Sequence, residues 1–353
     1  MSRADRLDSV VRENGLDALL VTNLVNVRYL TGYTGTNGMC LVGEETRLFL
    51  TDFRYVTQAE SEVDTAFDRV QGRQDLLEDA AKAFKPGRVG FEDFSLTVRQ
   101  HERLRSFAPE GVELVAAGRL VEGLRAVKEP DELRPIREAA RLADDVLSAL
   151  AERGLSGRTE REVAIELEAD MRARGSDPSF PSIVAGGANG ALPHAKPDGR
   201  LIGSGELVVV DLGCVVDGYC SDCTRTFATG PLADDAAEVY DLVLQTQVAA
   251  LGEVRAGAGC RNVDAFARER IDAAGYGERF GHGLGHGVGL EVHEQPTLSR
   301  AGDGELEAGN VVTVEPGVYV PERFGVRIED LVVVTDGGAE VLSSFPKELV
   351  TVG

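Results

Sequence analysis

The chain lacks most of the features that would mark it as membrane-bound, secreted or nucleic-acid-binding. No apolar run reaches the roughly 18–20 residues that a membrane helix needs. The strongest run, residues 207–216, is broken by Asp211. The polar, mixed-charge start MSRADRLDSVVRENG has no apolar stretch behind it, so no secretory leader is expected. Cysteine is scarce. Five in 353 residues, without framework spacing, exclude a disulfide scaffold and point to a reducing cytoplasm. Basic residues are outnumbered, 37 Lys and Arg against 59 Asp and Glu, and a net charge of −22 repels polyphosphate. Neither a nucleic acid nor a membrane is therefore expected as a partner, whereas cations are natural ligands. A GxSxG nucleophile elbow, a P-loop and a usable GxGxxG are also missing.

What remains is a chain of ordinary globular composition, 43% hydrophobic and 27% charged, with the length of about two domains. Residues 1 to about 120 alternate short apolar runs, such as Asp17–Thr22, Met39–Val42, Arg47–Thr51 and Arg88–Phe91, with helix-like stretches such as Leu76–Phe84. That alternation reads as a small α/β domain. The glycine-bearing segment Asn26–Gly38 reads as a loop. Leu133, Ile136, Ala140, Ala143, Leu147 and Leu150 then mark one stripe of a long helix, with Pro135 expected in its first turn. The boundary is placed just before it, giving domains 1–124 and 125–353. Thr159 and Glu162 have capping-box spacing, and Gly175 stands where that helix should end. Further helices are expected at about 234–252 and 261–274, and strands at 206–216, 219–228, 311–320 and 326–335.

Two of these strand pairs carry two carboxylates each. In ELVVVDLGCVVDGYCSDCTRTF (206–227), Asp217-Gly218 is a two-residue hairpin signal. That turn sets Asp211 opposite Thr224 and Asp222 opposite Gly213, so the two Asp side chains are diagonal neighbours on one face. Asp211 follows four apolar residues and should be deep in a sheet. Two buried carboxylates this close either share a proton or hold cations. Cys220 and Cys223 form a CxxC, but residues three apart in a strand point to opposite faces and no second pair exists, so they read as two small half-buried side chains. The segment 310–334 repeats the arrangement, with Glu315 and Glu329 in successive apolar runs and a turn at Pro321–Gly325. Alternation puts Tyr319 on the face of Glu315 and Arg327 on that of Glu329, where a purely structural Glu–Arg pair is the alternative.

Three of the five histidines, His282, His286 and His293, fall within FGHGLGHGVGLEVHE. Alternate glycines argue against a helix there, since each costs about 1 kcal/mol relative to Ala, and favour an extended path that other groups can approach. His194 lies in a second Gly/Pro-rich loop. Four carboxylates and one neutral imidazole carry about −4, which two divalent cations cancel. An oxygen-rich set with one His suits Mn²⁺, Co²⁺, Fe²⁺ or Zn²⁺. Two such ions, ~3.5–4 Å apart, can make a shared water hydroxide near neutral pH.

DLG (211–213), SDCTRTF (221–227), GHGLGHGVGLEVHEQP (281–296), TVEPGVY (313–319) and GVRIED (325–330) together resemble the proline-specific branch of the pita-bread metallopeptidases, which holds Xaa-Pro aminopeptidase (aminopeptidase P) and Xaa-Pro dipeptidase (prolidase). NVRYLTGYTG, TDFRY and LRAVKEPDELRPIREA extend the resemblance over essentially the whole chain. It implies an α+β fold, in which a pita-bread (creatinase/aminopeptidase-like) catalytic domain with a curved antiparallel sheet and outer helices follows a small α/β creatinase-type domain. It implies that Asp211, Asp222, His286, Glu315 and Glu329 bind two metal ions, Mn²⁺ foremost, with Asp222 and Glu329 bridging. Glu315 would be the general acid/base, and His293 would steady the tetrahedral intermediate. His194, His282 and Arg327 would line the proline pocket, with Tyr319 beside the metals. The substrates would be short peptides with proline second, and the enzyme a cytoplasmic homodimer. The Xaa-Pro bond has no N–H, so a carbonyl polarised by metal suits it. Compact prolidases similar to this chain place an Arg directly after HExP, where this chain has Thr297, and that departure tilts the expectation to aminopeptidase over dipeptidase. Methionine aminopeptidase usually lacks the first domain, and creatinase lacks the ligands. A catalytically inactive pita-bread binding module is the remaining alternative, and complete ligation argues against it.

Overall fold

A computed structural model describes all residues, Met1–Gly353. The chain divides into two compact units, Met1–Arg125 and Ala126–Gly353.

The first unit is built on six strands: β1 (Ala18–Val21), β2 (Met39–Gly43), β3 (Thr46–Asp52), β4 (Asp68–Gly72), β5 (Gly87–Phe91) and β6 (Val112–Ala116). They lie in the order β4-β3-β2-β1-β5-β6. The β1–β2 and β2–β3 pairs are antiparallel and the outer pairs parallel. Helices α1 (Arg3–Glu13), α2 (Leu24–Thr31), α3 (Val56–Glu62), α4 (Leu77–Lys82), α5 (Val98–Phe107) and α6 (Leu120–Ala126) alternate with them. Leu20, Leu41, Leu50, Val89 and Leu104 fill the core, each fully buried side chain contributing about 1.5–3 kcal/mol. The expected loop at 26–38 is in its first part a helix. Asn23 caps α2 by accepting from the Val25 amide, and Gly32, in the left-handed conformation at φ 81°, ends it. Burial of Val27, Tyr29 and Leu30 outweighs the local loop signals, and irregular chain begins only after Gly32.

The second unit opens with α7 (Pro130–Arg153) and α8 (Glu160–Ala173). Because α7 starts at Pro130, Pro135 lies inside the helix and not in its first turn. Thr159 and Glu162 form the expected capping box, and Gly175 follows α8 at φ 83°. The strands are β7 (Asp177–Pro178), β8 (Ile183–Gly186), β9 (Leu207–Leu212), β10 (Cys214–Val216), β11 (Tyr219–Cys220), β12 (Cys223–Ala228), β13 (Gly285–Gly287), β14 (Glu294–Leu298), β15 (Val311–Val314), β16 (Gly317–Val320), β17 (Phe324–Arg327), β18 (Asp330–Thr335) and β19 (Gly338–Val341), with α9 (Asp234–Leu251) and α10 (Cys260–Ala273) between β12 and β13. The sheets are antiparallel, ordered β12-β9-β8, β11-β10-β7, β14-β13-β15-β18-β19 and β16-β17.

The first hairpin turns at Asp217 (φ 50°) and Gly218 (φ 82°), as a type I′ turn requires, and pairs Asp211 with Thr224. The second is interrupted twice. Val314 pairs with Asp330 and Gly317 with Arg327, so the same register leaves Glu315 and Glu329 facing each other across gaps in both strands. Those gaps free both side chains from the ladder. Helix α10 packs on this region through Val263, Ala267 and Ile271.

Candidate metal centre

Asp211 ends the buried run of β9, Asp222 precedes β12, His286 is the centre of β13, and Glu315 and Glu329 occupy the two strand gaps. All five line one cavity of about 430 Å³. Ligand atoms of Asp222, His286 and Glu329 lie within 4.8 Å of one another. His286 Nε2 is 3.6 Å from Asp222 Oδ2 and 3.3 Å from Glu315 Oε1. The glycines around His286 have a steric reason. A Cβ at Gly285 would run into the Thr313 carbonyl and one at Gly287 into the Gln295 carbonyl, so β13 fits between its neighbours only without side chains there.

Threonines and an arginine hold the carboxylates. Thr224 Oγ1 donates to Glu329 Oε2 at 2.7 Å and accepts from Arg327 Nε at 3.0 Å. Thr313 Oγ1 donates to Glu315 Oε1 at 3.2 Å and accepts from the His286 amide at 3.0 Å. Arg327 NH2 donates to Asp211 Oδ2 at 2.7 Å and NH1 to the Tyr319 hydroxyl at 2.9 Å. The arginine expected beside Glu329 thus pairs with Asp211. The other oxygen, Asp211 Oδ1, is buried without a partner.

Burial and mutual repulsion set the electrostatics. Desolvation, then the charges of Glu329 and Asp211, push Asp222 well above the carboxylate range. Desolvation, then the charges of Glu315 and Asp211, bring Glu329 to about 8. Asp211 is raised by burial despite Arg327. Burial would also raise Glu315, but the hydrogen bond and charge of His286 outweigh it and bring it down to about 2. Burial would lower His286, and Glu315 in turn raises it to about 9. Such crowding of carboxylates is relieved by protons or by cations.

The other expected residues are close by. His194, His282, His293 and Arg327 line the same cavity. The His293 ring lies 4.1 Å from that of His286, and burial lowers the pKa of both His293 and His282. Tyr319 is not among the lining residues. It stands buried behind the wall, sharing a hydrogen bond of 2.8 Å with His282 Nε2. Phe180, Ile183, Pro193 and Thr297 are also part of the lining. Phe180 and Ile183 lie in SDPSFPSIV, a segment without His and with Asp177 as its one charged residue. Cys220 and Cys223 form no disulfide and are buried.

Comparison with known proteins matches this geometry. Residues 3–127 match the Creatinase/Prolidase N-terminal domain model and residues 134–336 that of Metallopeptidase family M24. The chain is 33% identical over 350 residues to an Xaa-Pro dipeptidase of Pyrococcus furiosus, covering 98% of this chain and 99% of that one. A solved Xaa-Pro dipeptidase from Bacillus anthracis superposes with a TM-score of 0.95 at 39% identity, covering 99% of each chain. A solved X-Pro aminopeptidase from Thermotoga maritima does so with a TM-score of 0.87 at 35% identity, covering 98% of this chain and 100% of that one. The fold is accordingly the pita-bread α+β catalytic domain, with curved sheets and outer helices, following a creatinase-type domain in the sequence. No helix is long and apolar enough to cross a membrane. With a clustered Asp–His–Glu ligand set inside the matched peptidase domain, the chain belongs to metallopeptidase family M24 and is a metal-dependent hydrolase.

Proposed function

We propose that the chain is an Xaa-Pro exopeptidase of the dipeptidase type, with Asp211, Asp222, His286, Glu315 and Glu329 holding two divalent ions. The carrying observation is the convergence of these five side chains on one cavity, with a buried Asp211 oxygen left unpartnered. The donor set fits the ions. It is oxygen-rich with one imidazole, which suits Mn²⁺ first and Co²⁺, Zn²⁺ or Fe²⁺ next. When bound, such ions polarise the scissile carbonyl and lower the pKa of water.

The chain's own residues do the rest. Glu315 accepts and returns the proton at its carboxylate, positioned by Thr313. His293, beside His286, donates to the developing oxyanion. Phe180, Ile183 and Pro193 pack on the proline ring, with His194 and His282 at its edges. Arg327 balances the charge of Asp211 and, through Tyr319, orients His282.

The relatives support the dipeptidase reading, because most similar solved structures with a stated activity are dipeptidases or prolidases. Thr297 in the cavity supports the second reading, an Xaa-Pro aminopeptidase, since Thr cannot pair a dipeptide's terminal carboxylate bidentately. Five buried cysteines that form no disulfide suit a cytoplasmic setting, and the homodimer implied by the resemblance belongs to the same proposal. The deciding experiment compares Xaa-Pro dipeptides with Xaa-Pro tripeptides after Mn²⁺ loading. Cleavage confined to dipeptides supports the first reading, preferred cleavage of tripeptides the second, and cleavage of neither overturns both.

A further inference from the structure

Residues 281–284 carry His282 into the cavity without helix or strand, between the turn Gly277–Arg279 and β13. Glycines at 281, 283 and 285 leave this stretch little restraint of its own, and nothing packs within 4 Å of where a Cβ of Gly281 would be. Beside the burial of Phe280 and Leu284, one ion pair on α10 grips its backbone. Arg268 grips Asp264 with Nε at 3.0 Å and NH2 at 2.7 Å. The same guanidinium donates to the Phe280 carbonyl through NH1 and to the His282 carbonyl through NH2, both at 2.8 Å. Asp264 Oδ1 also accepts from the Leu284 amide at 3.0 Å. Arg268 lies over the Phe280 ring at 4.4 Å. The pair thus holds the backbone at alternate positions, 280, 282 and 284, on both sides of the His282 ring. It also reaches the acidic centre, because the Glu315 amide donates to the Leu284 carbonyl at 2.8 Å.

Both partners are seated on a fixed helix. Asp264 is 1% exposed, and its neighbours Val263, Ala267 and Ile271 anchor α10 in the core. A planar fork with five donors can satisfy one carboxylate and two carbonyls at once, which an ammonium on a flexible stem cannot.

We propose that Asp264 and Arg268 are a positioning pair that fixes His282 against the substrate. The inference rests on the Xaa-Pro reading, in which His282 borders the proline ring, and neither residue touches substrate itself.

The test uses the full-length, metal-loaded protein and the variants Arg268→Lys, His282→Ala and their combination. Arg268→Lys keeps a cation beside Asp264 but loses the shared grip. It should lower kcat/KM on an Xaa-Pro dipeptide at least about tenfold while the melting temperature stays near the parent's. In the His282→Ala background the same change should cost less than about twofold, because the group it positions is gone. Hydrogen exchange supplies a readout free of activity: amides of residues 280–286 should exchange faster in Arg268→Lys, with α10 and β9 unchanged. Equal losses in both backgrounds, parental activity in Arg268→Lys, or unchanged exchange at 280–286 each overturn the inference. A parent inactive on every Xaa-Pro peptide overturns the functional reading, and the exchange result then decides the inference alone.

Discussion

Arg327 neutralises one oxygen of Asp211 at 2.7 Å while the other oxygen of that carboxylate is buried and unpartnered. A buried anion half-satisfied by the protein is costly unless another group completes it, and here Glu315, Asp222 and Glu329 add further negative charge around it. The relationship ties the arginine fork to the cation site: the protein supplies one positive charge and leaves room for ions to supply the rest.

Thr224 is the hinge of that arrangement, since its one hydroxyl links Arg327 to Glu329. Thr224→Val removes both bonds at nearly constant volume. Metal affinity, measured by calorimetry, should weaken by about 10–100-fold, the usual cost of losing a hydrogen bond that orients a ligand. Unchanged affinity would separate Thr224 from metal binding.

Glu315→Gln should lower kcat by about 10²–10⁴-fold, the range for a lost general acid/base, with the circular dichroism spectrum unchanged. A variant with near-parental kcat would move the proton-transfer role elsewhere.

Protons and metal compete for the same oxygens. Burial holds Asp222 well above the carboxylate range and Glu329 at about 8, and Glu315 holds His286 at about 9. In each case the folded state keeps a proton that the unfolded state has lost at neutral pH. These three groups therefore stabilise the metal-free fold most below their unfolded pKa values, a contribution lost as pH rises towards 8 and 9, whereas Glu315, held down at about 2, contributes stability that is lost only as pH falls. Bound metal replaces those protons. The rise in melting temperature on adding Mn²⁺ should accordingly be larger at pH 8 than at pH 6, as thermal shift assays can establish. A rise that shrinks with pH would contradict this.

Gly285→Ala places a methyl group against the Thr313 carbonyl and should displace β13 and His286, lowering metal occupancy after desalting. Gly281→Ala meets nothing within 4 Å and serves as the control that should retain occupancy.

The hairpins were readable because their signals are local. Asp217-Gly218 alone sets the register that pairs Asp211 with Thr224. The α8 capping box and the apolar stripe of α7 were readable for the same reason. Features decided by distant partners were not. Helix α2 packs on α1 and β2, which a local loop signal does not register, and Val27 and Leu30 are buried. The choice of Asp211 over Glu329 by Arg327 depends on β9, 116 residues away. The break after Val314 has a local mark in Pro316, which cannot donate to a strand ladder, whereas the matching break at Ile328 and Glu329 has none. Phe180 and Ile183 carry no chemistry that singles out an apolar side chain as pocket lining and not core. The Asp264–Arg268 grip on the His282 segment is invisible as an ordinary helical i,i+4 pair.

Five side chains, drawn from strands, strand gaps and the short link between β11 and β12, are placed to form a cage for divalent cations. Titration of the metal-stripped, folded protein with Mn²⁺, read by calorimetry and confirmed by elemental analysis, tests it most directly. About two ions bound per chain, reduced in Asp222→Asn and Glu329→Gln, is the predicted result. No binding by a protein whose circular dichroism and melting curve show it to be folded would contradict it.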